Sequence, residues 1–250
     1  MARWLVAATA LFGLGAGMVL VASTHGADPA PCNPYYPLAT GASWTYREGP
    51  LGKPTLIEKT SVVKSLSREG ARETATIEQT VRTPEAPGVA AGRARTSVQC
   101  DGGRISMIVK GRARGQDGGK RATGAVIARL PGLAPAKDLV PGYEWSAESQ
   151  IEAVEGDRRI VTRGVRKSRV EGTEVVSVPA GRFSDALRIA ALETLETKGT
   201  DGTLSARQEL VEWYVRGVGL VKRETRVRSG AGQAISVEEL SASNLRPSAP

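Results

Sequence analysis

Between Trp44 and Leu240 the chain runs through short segments of alternating character, each ending in a cluster of Gly, Asp, Ser or Pro. No long stretch keeps the 3.6-residue apolar period that one buried helix face requires. A period of two instead sends successive side chains to opposite faces of a strand. Residues 74–81 show it, with Ala75, Ile77 and Val81 on one side and Thr74, Thr76, Glu78 and Thr80 on the other. The pattern predicts a mainly β, antiparallel domain, a strongly curved sheet or incomplete barrel with at most one or two short helices. Aromatic residues make up only 4% of the chain, so its core must rest on Val, Ile, Leu and Ala.

The punctuation predicts which segments pair. Residues 56–66 precede 74–81 across Ser67, Arg68, Glu69 and Gly70. Residues 97–100 and 105–109 flank Asp101, Gly102 and Gly103, where Gly supplies the positive φ of a tight hairpin. Residues 145–154 face 158–170 across Glu155, Gly156 and Asp157, and 187–195 face 204–215 across Thr200, Asp201 and Gly202. A last strand, 235–240, follows Ser229, Gly230, Ala231 and Gly232. Residues 84–92 read as a mobile loop, and 111–141 as a Gly-rich basic loop with one short helix over 125–130 that Pro131 stops.

Leu38, Gly41 and Trp44 recur at the same spacing as Leu139, Gly142 and Trp145. Either the domain, 37–243, consists of two similar halves, 37–135 and 136–243, each opening with a turn that delivers a Trp, or these are two unrelated turns.

Arg3 is followed by an uncharged apolar run from Trp4 to Ala22 and the small polar stretch Ser23, Thr24, His25, Gly26. That order is a secretory signal, residues 1–27, cut after Ala22 or Ala27, with an uncleaved anchor as the alternative. A linker, 28–36, and a disordered tail, 244–250, complete the expected organisation. Pro31 and Pro29 before Cys32 do not fit a lipidation site. In an oxidising compartment, Cys32 and Cys100 read as one disulfide, the alternative being two free thiols.

The formal charge is +8, carried mostly by Arg. It fits either anionic neighbours outside the cytoplasm or a solvated, Glu-interleaved surface. No catalytic, cofactor-binding or metal-binding residues emerge. His25, at the edge of the signal, is the one histidine, so a mature chain starting after Ala27 has no Ser-His-Asp, Cys-His or His-zinc system. Ser61 and Lys64 satisfy S-x-x-K, but on a strand rather than a helical turn. Residues 115–123 match a phosphate loop poorly, with Arg121 where Ser or Thr should follow Lys120. Asp101, Asp117 and Asp201 form no calcium series. Trp213, Tyr214 and Arg216 are the main aromatic-basic cluster, but Val211, Trp213 and Val215 alternate as a core face, so nucleic acid is not an expected partner.

Three stretches occur in order: PLATGASWTY (37–46), VSVPAGRF (176–183) and WYVRGVGLVKRE (213–224). Together they resemble the TapB-like group and related exported bacterial envelope proteins of unknown function. The resemblance implies an antiparallel β domain outside the cytoplasm, periplasmic or extracellular, with no catalytic residue to carry over. Its motif residues read as architecture. Tyr46 follows the first Trp, Pro179 and Gly181 make a turn that returns Phe183 to the core, and Gly217 and Gly219 allow a bulge or bend after Trp213 and Tyr214. The leading expectation is a non-enzymatic envelope protein that binds a hydrophobic, lipid-like or anionic ligand on the concave side of its sheet, with no cofactor. Next comes a structural or assembly component contacting another envelope protein, and last a hydrolase using paired carboxylates. Partial exposure of Trp44, Trp145 or Trp213 on that concave side favours ligand binding, whereas full burial of all three favours a packed structural domain.

Overall fold

The computed structural model describes residues 31–84, 92–117, 120–155, 158–199, 202–229 and 232–247. The expected signal segment, most of the expected 84–92 loop and the tips of four hairpins lie outside them. Twelve strands follow in chain order: β1 (Ser43–Pro50), β2 (Ile57–Glu69), β3 (Arg72–Arg82), β4 (Gly92–Asp101), β5 (Arg104–Asp117), β6 (Lys120–Pro131), β7 (Glu144–Glu155), β8 (Arg158–Val178), β9 (Gly181–Gly199), β10 (Gly202–Val215), β11 (Gly219–Ser229) and β12 (Gly232–Ser243). Each pairs antiparallel with its neighbours in sequence, and β1 pairs with β12, closing a barrel. Closure leaves no sheet edge, the end point of the strong curvature expected from the sequence.

The expected hairpins at 101–103, 155–157 and 200–202 all form. The helix expected over 125–130 does not. Ala125 to Leu130 lie in β6, paired with β5 and in part with β7, and 111–117 extend β5. The Ala-Val-Ile-Ala-Arg-Leu run also alternates, and its two flanking strands outweigh a weak local helix preference. Among the described residues, helical structure is confined to one 3-10 turn at Ala136–Asp138. Gly217 (φ 80°) and Gly219 (φ 100°) form the hairpin turn between β10 and β11 rather than a bulge within one strand. The nearby bulge falls earlier, at Trp213 and Tyr214.

One end of the barrel is plugged. Residues 31–42 and the 132–143 connection lie across it, burying Leu38, Leu133, Ala134 and Leu139. Asn33, 1% exposed, fastens both segments, donating from Nδ2 to the Gly103 carbonyl (2.7 Å) and the Ala134 carbonyl (3.0 Å). A disulfide joins Cys32 to Cys100 at the end of β4, and Gly217 N donates to Pro34 O at 2.8 Å. At the other side of this end, Asn244 holds the Ser43 N–H (2.8 Å) and the Gly41 carbonyl (2.9 Å).

The two Gly-Trp turns enter β1 and β7 with the same backbone bonds. Gly41 (φ 85°) donates to Val63 O, which is returned by Val63 N to Ala42 O; Gly142 (φ 88°) donates to Val170 O, returned by Val170 N to Tyr143 O. In each case the register shifts immediately after the valine, which faces Ile77 or Ile189.

Candidate functional site

The inward-facing side chains differ around the barrel. From β3 to β6 they are mostly apolar: Ile77, Val98, Met107, Val109 and Leu130 alternate with outward residues that are mostly polar, Ile108 and Ile127 excepted. From β8 round to β2 the same inward parity carries charge. Glu48, Lys59, Glu238, Arg223, Glu212 and Arg166, from six strands, form a chain of alternating sign.

Lys59 Nζ contacts Glu48 and lies 3.1 Å from Glu238. Arg223 binds Glu238 at 3.0 Å and Glu212 at 2.8 Å, and Arg166 reaches across β9 to Glu212 at 2.5 Å. The chain holds three cations and three carboxylates, so its charges cancel internally. Glu212 is fully buried and also accepts from the Tyr214 hydroxyl at 3.2 Å. Burial alone would raise its pKa, but the charges and hydrogen bonds of Arg166 and Arg223 win and lower it to about 2. Burial likewise works against the charge on Lys59, yet Glu238 and Glu48 raise its pKa, so both stay ionised at neutral pH.

Between the two walls lies a cavity of about 270 Å³. Ile77, Met107, Val109 and Leu130 face Lys59, Arg223 and Glu238 across it, with Ser61 and Gln79 between and Thr96 set within the apolar wall. Its floor is aromatic. Trp44 donates from Nε1 to the Val218 carbonyl at 2.6 Å, the Tyr46 hydroxyl donates to the Leu220 carbonyl at 2.9 Å, and Tyr36 packs 6.5 Å from Trp44. Burial pushes the Tyr36 hydroxyl up to about 12, the Arg223 charge opposing it only partly. A Cβ on Gly219 would lie 3.5 Å from Trp44 Nε1, and its positive φ independently favours glycine there.

Beyond the charged chain, Glu193 is held by Ser149 (3.1 Å) and Gln208 (2.5 Å). The inward positions toward the unplugged end then become apolar and open to solvent. Leu204 is 70% and Ile160 42% exposed.

Of the motif residues, Leu38, Trp44, Tyr46 and Gly219 meet at the cavity floor or beneath it. Gly142, Pro179, Gly181 and Phe183 shape the plugged end away from the cavity. Trp145 is half-buried and stacks on Tyr143 at 5.8 Å. Trp213 is buried on the outer side of the sheet, beneath Arg188 and Lys222, with Nε1 on Glu174 at 2.5 Å. Thus the end of β10 is covered on both faces: the set expected as a core face, half-buried Val211 with buried Trp213 and Val215, turns outward from the barrel, and Leu210, Glu212 and Tyr214 fill the lumen side. The charged chain was missed in the sequence because an inward Glu or Lys on an alternating strand looks like its solvated face. The signal available was that Glu212 sits between Trp213 and Val211 in a segment with no polar side. Among the described residues, no group of three His, Cys, Asp or Glu could hold a metal ion. Ser61 and Lys64 lie on β2, Ser61 at the cavity wall and Lys64 exposed.

No family model and no curated protein matches the chain. Two crystal structures share its fold. One is a putative lipoprotein from Parabacteroides distasonis ATCC 8503, 15% identical, with a TM-score of 0.59 over 84% of this chain and 98% of that one. The other is a putative exported protein with YmcC-like fold from Bacteroides fragilis NCTC 9343, 14% identical, with a TM-score of 0.57 over the same shares.

Proposed function

We propose that this is an exported, non-catalytic envelope protein that binds a hydrophobic ligand in the barrel lumen. The observation that carries the reading is the cavity of about 270 Å³ between an apolar wall and a self-neutralised ionic wall, close to the lower end of small-ligand sites at roughly 300 Å³. Because the charges in that wall answer one another, the lumen offers no surplus charge to an anionic ligand. It favours an apolar body with an uncharged polar group set against Ser61, Gln79 or Thr96. The exposed Leu204 and Ile160 supply an apolar approach from the unplugged end.

Export is supported by the signal-like residues 1–27, by the disulfide and by the names of the two fold neighbours. The ordered motifs support the finer likeness to the TapB-like group. The equivalent turns at Gly41 and Gly142, each answered by a buried valine and a bulge, support two similar halves, 37–135 and 136–243. Glu212 and Glu238 are each clamped by guanidinium, and Glu212 is held ionised, which leaves the charged chain without a general acid and weighs against carboxylate hydrolysis.

Native mass spectrometry of protein purified from its own envelope tests the reading. A co-purifying apolar mass lost on denaturation, and excluded by filling the cavity with Met107→Trp, is expected. A bare chain that also fails to enhance the fluorescence of N-phenylnaphthylamine would overturn it.

A further inference from the structure

The outer face of β7–β10 carries a trough that a lumen ligand would not touch. Two depressions of about 1000 and 760 Å³ adjoin there and share Arg207. Their floor is small or apolar, with Val165, Ala190, Leu192 and Val211 on outward positions, and Val165 is 42% exposed. Four outward registers define its length, from Gln150–Arg163 through Glu148–Val165 and Ser146–Lys167 to Glu144–Arg169. At about 7 Å per two-residue step this is roughly 20 Å, room for about six residues of extended chain.

Charge on the rim is lopsided once the internal ion pairs are set aside. Glu144, Glu171, Glu196 and Glu209 pair with Arg169, Arg188, Lys198 and Arg228. Arg129, Arg163, Lys167 and Arg207 have no carboxylate within ion-pair distance among the described residues, against Glu148 alone on the acidic side. These four cations call for carboxylates on the occupant. The apolar floor calls for aliphatic side chains beside them. Glu148 interrupts the cationic rim, so an unbroken polyanion meets a like charge there, whereas a polypeptide can space its carboxylates to avoid it. Both neighbours of every strand here are already present, so recognition must come from side chains rather than from added strand pairing.

We propose that this trough docks an extended segment of a partner protein in which acidic and aliphatic residues alternate. Fluorescence anisotropy with a labelled, about twelve-residue Glu-Val alternating peptide tests it on the full-length protein. Saturable binding is expected, weakened at least about tenfold in the double variant Arg163→Glu/Arg207→Glu and weakened by salt, while a Lys-Val peptide does not bind. Both substituted side chains are exposed, so circular dichroism and thermal melting should match the parent, and Met107→Trp in the lumen should bind the peptide as the parent does. Absence of saturable binding, or equal binding by the double variant, would overturn the proposal. Equal or tighter binding of polyglutamate or inorganic polyphosphate would also overturn it, marking a polyanion surface instead.

Discussion

The strand runs β1–β6 and β7–β12 begin with nearly the same corner and are fastened by different chemistry. Gly41 and Gly142 have φ values of 85° and 88°, both bond to a valine carbonyl at 2.8 Å, and both valines precede a shift in register. Yet the first run is tied by the Cys32–Cys100 disulfide beside an apolar lumen wall, while the second holds four of the six members of the buried ionic chain, Arg166, Glu212, Arg223 and Glu238, which reaches back to Lys59 and Glu48 on β2 and β1. Backbone shape here follows from glycine placement and alternation, and the lumen side chains are chosen independently of it. A disulfide acts largely on the unfolded chain; an ionic chain acts on the folded one and depends on pH.

The largest effect should come from cutting the ionic chain. Glu212→Gln leaves Arg166 and Arg223 buried without their shared carboxylate, and a loss of about 3–5 kcal/mol is expected in urea unfolding at neutral pH. A loss below about 1 kcal/mol would mean that water already screens the chain. Removing the other fastener, with Cys32→Ser/Cys100→Ser, opens a loop of 68 residues and should cost about 4 kcal/mol in the chain-entropy account, unchanged between pH 4 and 7.

Acid should separate the two. The carboxyl of Glu212 lies near 2 when folded against an ordinary 4.5, so its ionised form stabilises the fold fully above about pH 5. That contribution, of order 3 kcal/mol, is lost as pH falls through the folded value near 2. Stability measured from pH 6 to pH 2 should therefore fall more steeply in the parent than in Glu212→Gln, and parallel curves would remove Glu212 from the acid response. The smallest effect tests the shared corner. Gly41→Ala and Gly142→Ala each add a Cβ into open space, so only the left-handed backbone is penalised, by about 1–2 kcal/mol and equally at both sites. Unequal losses would show that the corners differ beneath their matching bonds.

Much of this architecture is legible in the sequence. Alternation and its punctuation located strands now seen at β2, β3, β4, β5, β7, β8, β9, β10 and β12, and Asp101, Gly102 and Gly103 fixed a hairpin because two of the three residues tolerate positive φ. The strand at 125–130 was hidden by alanines that suit either structure. Closure was hidden because the Trp44–Ser243 register joins residues at opposite ends of the domain, and no local pattern encodes that distance. The cavity was half legible: Trp44 and Tyr46 were singled out, but Arg166, Glu212 and Arg223 looked like solvent-facing residues until their strands met.

The β1–β12 seam also governs how the molecule can mature. A chain delivered from its N-terminus presents β1 long before β12 arrives, and the Trp44 to Val218 hydrogen bond spans 174 residues. Until the last strand docks, β1 keeps one open edge, the growing end presents another, and the apolar lumen wall faces solvent. Completion of the barrel thus waits on its last strand. A chain stalled before residue 232 would lack β12 and leave two open sheet edges, the kind of surface that pairs with other chains.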